Sequence, residues 1–447
     1  MDTPILDFLK GYQLEGMARL HMPGHKGRGP LGVEGLDLTE IKGADSLYEA
    51  DGIIAQSEEN AARLFGSRRT FYSTEGSSQC IRAMLALALE NRPAGTAPIV
   101  LAARNVHKAF LYAAALLDLE VAWLWPEGGS RSVCSCPITA AGLEKALTDM
   151  ETLPMAVYIT SPDYLGGTAD IAALAAVVHR HGCLLLVDSA HGAYLHFLEK
   201  PCHPMDLGAD LCCDSAHKTL PVLTGGAYLH ISKTAPEGIE EGGKEALALF
   251  GSTSPSYLTL ASLDACNAWL AGEGPTHIRE AVQGVERLKK TLAAQGWKLW
   301  GEEPMKLTIR TSDSGWTGTE LADLLRVGGV ECEYADPDHV VLMVSGNTTG
   351  EELGRVAGAL GTAKPRAAEP RPVPALPREE KALSIRAALL GRKEAVAVES
   401  ALGRVLAAPS VSCPPAVPIV VTGEVIGSEA LELFRYYGHK TCLVVKE

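Results

Sequence analysis

In the segment "DLCCDSAHKTL", residues 210–220, Lys218 follows a run of small and apolar residues that reads as a buried strand. A lysine is ordinarily a solvated surface charge, so a primary amine set at such a strand end asks for a chemical reason. Three other apolar runs end on residues that could act with it. "TFYS" leads into "TEGSSQC", where Gly76, Ser77 and Ser78 open a helical pattern and offer N–H groups, hydroxyls and a positive helix end to an anion. Serine before a helix is also a common N-cap. "PIVLAA" leads into "RNVHKAF", which sets His107 at a strand end, either as a hydrogen-bonded core residue or as a flat face for stacking on a ring. "CLLLVD" ends on Asp188, whose carboxyl needs a partner there, because a lone buried carboxylate takes up a proton instead.

One cofactor uses all four features. Pyridoxal 5′-phosphate needs a lysine amine for its aldehyde, an acid on its pyridinium nitrogen, a phosphate cradle at a helix start and a plate against its ring. In this reading Asp188 keeps the ring nitrogen protonated, so that the ring can accept an electron pair from a substrate Cα. Lys218 holds the aldehyde between turnovers.

The elements that must position these residues alternate along the chain as in a parallel α/β sheet. Candidate strands are residues 70–73, 98–103, 120–124, 156–160, 183–188, 210–214 and 226–231. "SQCIRAMLALALENR" and "ADIAALAAVVHRHG" carry apolar residues at i, i+3 and i+4 and read as helices between them. The strand ends then converge on one crevice, where open α/β sheets bind ligands. The expected fold is α/β, a seven-stranded, mostly parallel large domain with a smaller α+β domain and a small C-terminal domain. The boundaries are an N-terminal arm at 1–30, the large cofactor-binding domain at 31–264, the α+β domain at 265–363, a Pro-rich linker at 364–379 and the terminal domain at 380–447.

Composition narrows the classes further. The chain has 447 residues, 47% hydrophobic and 21% charged, with 45 glycines and 26 prolines, which suits a globular protein rich in tight loops. A net charge of −14 and the lack of a Lys/Arg block argue against a nucleic-acid partner. The N-terminus carries acids where a secretory signal needs a basic start, and no apolar run reaches transmembrane length, so a cytoplasmic protein without membrane partners is expected. Eleven cysteines without a paired CxxC set predict buried or incidental thiols and no metal site.

Beyond the residues themselves, "HMPGHKG" (21–27), "LDLTEIKGADSL" (36–47), "RNVHKAF" (104–110), "TSPDYLGGTADI" (160–171), "VDSAHGAYL" (187–195), "DSAHKTLPVLTGGAYLH" (214–230) and "GSTSPSYLTLASLD" (251–264) resemble the bacterial ornithine/lysine/arginine decarboxylases of pyridoxal-phosphate fold type I. The resemblance runs in order from about residue 5 to residue 270 and continues faintly through "PPAVPIVVTGE" (414–424). It implies Lys218 as the cofactor lysine, Asp188 on the pyridinium nitrogen, His107 stacked on the ring and His191 beside it. It also implies Ser77, Ser78, Ser215 and His217 around the phosphate. "STSPSY", with Ser252, resembles a segment that reaches a partner subunit's cofactor, which implies a homodimer or larger homo-oligomer with shared sites. The chain looks like the short biosynthetic type, because "HMPGHKG" already starts at residue 21.

The implied reaction is decarboxylation of arginine, lysine or ornithine to the amine, feeding polyamine synthesis. Two departures stand out: "TEGSSQ" where the family usually has Asn before the Gly, and "CPPAVP" where a PPGIP-like motif is usual. The rival readings are a fold type I aminotransferase, for which Arg310 in "LTIRT" is a candidate carboxylate anchor, and a non-catalytic paralogue. Asp45, Glu49, Asp163 and Glu424 are candidate acids for the substrate's distal cation.

Overall fold

The computed structural model describes residues 1–128, 132–368, 373–409 and 415–446. Residues 369–372 of the Pro-rich stretch and Cys413 and Pro414 of the "CPPAVP" tail lie outside the described residues. The chain divides into two compact units: Met1–Gly95 with Ile171–Arg279, and Thr96–Asp170 with Glu280–Glu447.

Seven short strands make one mostly parallel sheet: β1 (Arg69–Ser73), β2 (Ile99–Ala103), β3 (Glu120–Leu124), β4 (Ala156–Thr160), β5 (Leu184–Asp188), β6 (Leu211–Asp214) and β7 (Ala227–Ile231). The strands expected from the sequence are all present, most starting one residue away from their expected first residue. Most are buried along nearly their whole length, which is why they read as continuous apolar runs rather than as alternating ones. The first unit holds them in the order β1-β7-β6-β5 and the second in the order β4-β2-β3.

In the first unit β7 runs antiparallel to both neighbours, with Cys212 opposite His230 and Tyr72 opposite Tyr228. The physical reason is the connection from Asp214 to Ala227, which holds only the one-turn helix Ala216–Thr219. A parallel return requires a full crossover. Helix Ser77–Glu90 packs on β6 and β7 and buries Ile81, Met84 and Leu85. The N-terminal helix Pro4–Glu15 lacks a side-chain cap of its own. Asp264 supplies one from the helix Tyr257–Ala271, accepting from Ile5 N at 2.9 Å and Leu6 N at 3.0 Å while Ser57 Oγ donates to its other oxygen.

The second unit adds an antiparallel sheet of β8 (Leu299–Trp300), β9 (Lys306–Arg310), β10 (Tyr334–Ala335) and β11 (His339–Met343), in the order β10-β11-β9-β8. Helices Gly318–Val327 and Gly350–Ala363 pack with it, each opened by a capping box, Thr317 with Glu320 and Thr349 with Glu352. The hairpin-like pair β12 (Lys393–Ala397) and β13 (Thr441–Val445) closes a further core around Leu406, Ile426, Phe434 and Val444.

One motif departure has a structural counterpart in this unit. Ala416 occupies the glycine position of the PPGIP-like motif and has φ +58, the left-handed region that costs an L-residue about 1–2 kcal/mol. Its carbonyl accepts from Lys108 N at 2.8 Å. Arg104, buried in the "RNVHKAF" segment, donates through Nη1 to Pro418 O and through Nη2 to Ile419 O, both at 2.8 Å. The tail is thus gripped by backbone contacts that do not require glycine. Among the described residues no helix is long and apolar enough to cross a membrane.

Candidate active site

Three strand ends of the first unit carry the predicted cluster. At the end of β5, Asp188 is 2% exposed and its Oδ1 accepts from Ala190 N at 3.2 Å and from Cys213 Sγ at 3.7 Å. Burial, reinforced by the Asp188 charge, pushes the Cys213 thiol well above its usual range. It therefore stays S–H and donates. Beyond β6, the one-turn helix points Lys218 at His191, with Nζ 2.9 Å from Nε2. An ammonium can only donate, so in that charge state the imidazole nitrogen accepts.

After β1 the chain turns sharply into helix Ser77–Glu90. Its N-cap is Gly76, at φ +73 and ψ 176, and no side chain caps the helix. Ser77 is the first helical residue rather than a cap, and its hydroxyl accepts from Ser215 Oγ at 2.8 Å, tying the helix start to the turn after β6. Ser78 is half-buried beside it. The Gly225 carbonyl accepts from Gly76 N at 2.7 Å; Gly225 has φ +96, and a Cβ there would sit 2.5 Å from Thr74 O. His217 Nδ1 donates to Gly226 O at 3.2 Å.

These residues fit pyridoxal phosphate. An uncapped helix start and two linked hydroxyls suit a phosphate. The Cβ direction at Gly76 is open, its nearest atom 4.0 Å away. Thr219 Oγ1, next to Lys218, is buried without a hydrogen-bond partner. The backbone of Gly76 occupies a region reserved almost wholly for glycine, with a cost of about 1–3 kcal/mol for other residues. Gly76→Ala is therefore expected to keep the fold but weaken cofactor retention by roughly tenfold or more. Equilibrium dialysis against pyridoxal phosphate reads this, and unchanged retention would show that the turn plays no part in holding the phosphate.

Ser252 and His107 each have local partners. Ser252 is exposed; its N donates to Glu75 Oε1 at 2.6 Å and its hydroxyl accepts from Ser254 N at 3.2 Å. Glu75 is the residue that replaces the usual Asn before the Gly. His107 belongs to the second unit, where it caps helix Lys108–Leu116 through Nδ1, which accepts from Ala109 N at 3.1 Å. Among the candidate acids, Asp45 is consumed as a staple, accepting from the backbone N–H groups of Ser46, Asp51, Gly52 and Ile54. Burial pushes its carboxyl up, but those bonds outweigh it and hold the group below its usual range. Asp163 is spent in the same way on Leu165 N and Gly167 N. Glu49 is exposed.

Sequence reasoning missed a buried group behind the lysine turn. Asp214 Oδ2 accepts from His203 Nε2 at 2.9 Å and from His230 Nε2 at 3.0 Å, all three fully buried. Burial alone would raise the Asp214 carboxyl, but the charges and hydrogen bonds of His203 and His230 outweigh it and pull it well below its usual range. The set has the composition of a metal site. Met205 N–H, however, donates to His203 Nδ1 at 3.3 Å, which leaves the ring proton on Nε2, facing Asp214 rather than an ion. The register Cys212↔His230 brings His230 to this group and the loop before Pro204 brings His203, and no sequence spacing carries either.

The family model for the Orn/Lys/Arg decarboxylase major domain matches residues 3–303, and that for the C-terminal domain of the same family matches residues 373–441. The chain belongs to the Orn/Lys/Arg decarboxylase family. It is a pyridoxal-phosphate-dependent decarboxylase of fold type I, as the sequence reading expected. Among its relatives, the protein YaaO of Bacillus subtilis is 30% identical over 99% of this chain and 95% of its own. An arginine decarboxylase of Halalkalibacterium halodurans is 30% identical over 97% of this chain and 93% of its own. The solved structure of lysine decarboxylase A from Pseudomonas aeruginosa shares the fold, with a TM-score of 0.81 and 18% identity over 99% of this chain and 80% of that one.

Proposed function

We propose that this decarboxylase acts on arginine in preference to lysine or ornithine, releasing CO2 and agmatine toward polyamine synthesis. The observation that carries the site assignment is the Lys218–His191 contact at 2.9 Å, on the strand end next to that of Asp188. The relatives that match over nearly the whole chain and bear the name arginine decarboxylase support the substrate. Lys218 would hold the cofactor's aldehyde carbon, Asp188 its ring nitrogen, and Gly76, Ser77, Ser78, Ser215 and His217 its phosphate, with His107 against the ring and Ser252 contributed to a neighbouring copy in a cytoplasmic homodimer. Bound pyridoxal phosphate supplies an electron-accepting ring for the pair left at Cα when CO2 departs.

The chain's own residues do the rest. Asp188, fixed by Ala190 N and Cys213 Sγ, presents a carboxylate whose direction is set before any ligand binds. His191 Nε2 and Lys218 Nζ, within one hydrogen bond of each other, can pass a proton between them and deliver it toward Cα. The leaving carboxylate should meet no arginine, since an ion pair would stabilise the ground state more than neutral CO2. Arg310, the anchor an aminotransferase would use, is instead paired with Asp313 at 2.8 Å and lies over the Trp300 ring at 5.3 Å.

Carboxyl-labelled arginine, lysine and ornithine, incubated separately with holoenzyme and no keto-acid acceptor, test the proposal. Arginine is expected to release label as CO2 fastest and to accumulate agmatine over many turnovers. Label retained in a keto acid, with turnover halting after one cycle, would overturn it in favour of transamination. Faster release from lysine or ornithine would overturn the substrate order alone.

A further inference from the structure

A cleft of about 480 Å³ opens in the second unit beside β3, the last strand in the sheet order, far from any residue of the Lys218 cluster in sequence. Its floor is aromatic, from Trp123 and Trp125, and its walls are acidic. Glu120 and Asp118 come from the strand and the turn before it, Glu379 and Glu424 from the C-terminal segment. Two cations face these four carboxyls, Arg378 and Lys381. Lys381 is drawn to Glu120 at 3.6 Å and the buried Arg104 guanidinium acts on Glu424, so of the four carboxyls Asp118 and Glu379 are left to face Arg378.

Two features of the cleft point to a ligand. Thr422, 1% exposed and part of the lining, has a buried Oγ1 with no hydrogen-bond partner. Glu424, 6% exposed, commits Oε2 to Val421 N at 2.7 Å and also lines the cleft. The chain already shows which chemistry the indoles accept. The guanidinium of exposed Arg378 lies over the Trp125 ring at 4.7 Å, and that of buried Arg104 lies 5.6 Å from the same ring and from Trp123. An indole face with carboxyls around it is the receptor for a flat or compact organic cation.

We infer that this cleft is a second binding site, for a guanidinium or primary-amine cation that takes the place of Arg378 on Trp125 and hydrogen-bonds Thr422 and Glu424. Arg378 is then an internal competitor, occupying the indole when no ligand is bound. The site rests on the cleft's own residues, of which Glu424 was also a candidate acid for the substrate's distal cation, so its test is kept separate from CO2 release.

Agmatine is the probe, titrated calorimetrically into holoenzyme. Wild type is expected to show a class of binding that Trp125→Ala abolishes and that Arg378→Ala tightens by roughly fivefold, with turnover unchanged in both variants. Putrescine should bind the same class more weakly, lacking the planar group that stacks. If Trp125→Ala does not fold, Arg378→Ala still decides, since an exposed side chain can be removed without loss of the core. An isotherm identical in wild type and Arg378→Ala would overturn the inference. Failure of the decarboxylase reading would appear instead as absence of CO2 release, which this titration does not measure.

Discussion

Lys218→Ala is expected to abolish covalent retention of the cofactor and to lower steady-state decarboxylation by roughly 10²–10⁴-fold, the range for losing a positioned proton-transfer group, with the covalent anchor lost as well. Lys218 sits on a one-turn helix held at both ends. Lys218 N donates to Ser215 O at 3.0 Å, Leu220 N to Ala216 O at 2.8 Å, and His217 N to Gly226 O at 3.2 Å. Alanine leaves those backbone bonds intact, so the fold should survive and the loss should be chemical. Borohydride reduction of the wild-type holoenzyme followed by peptide mapping should place a pyridoxyl group on Lys218. The same label on Lys108 or any other lysine, or near-normal turnover by the variant, would remove Lys218 from its role.

The second large effect is expected from Asp188→Asn. The side chain is isosteric, and Ala190 N can still donate to its oxygen, so the β5 end should keep its shape. What disappears is a full negative charge. A charge-assisted hydrogen bond is worth about 1.5–3 kcal/mol, which corresponds to roughly 10–100-fold in rate if it is used mainly in the transition state. The pyridinium proton is the group that charge would hold. Circular dichroism should match wild type while kcat falls and KM changes little. Cofactor absorbance should also shift with pH in the variant over a range where wild type is constant. A wild-type rate would mean that the ring nitrogen has another partner.

The two predictions differ in how directly the amino-acid order led to them. Asp188 was legible because it closes an apolar run, and a charged group at the end of a buried strand is rare enough to carry information by itself; Lys218 was legible as an amine just beyond the next run, although it lies on the one-turn helix Ala216–Thr219 rather than at the end of β6. The same runs located all seven strands of the large sheet, since strands covered on both faces are apolar throughout. The direction of β7 was not legible. It follows from a connection too short for a crossover, and pattern alone does not say which way a strand points.

Tertiary structure alone decided the partners. Ser77 and Ser215 lie 138 residues apart, and neither spacing nor residue type says that their hydroxyls meet. The Asp214 pair of histidines arises from strand register and from a loop folding back, so His203 and His230 look like unrelated residues in the chain. Asp45 and Asp163 looked available as substrate acids, yet both are used up by nearby backbone N–H groups, a local geometry that composition does not express. The chain order of amino acids determined which chemical groups are present and which segments are buried, because burial is a property each segment's own polarity sets. Which groups face one another depends on register, turn geometry and strand direction, and these are settled only when distant segments compete for the same hydrogen bonds.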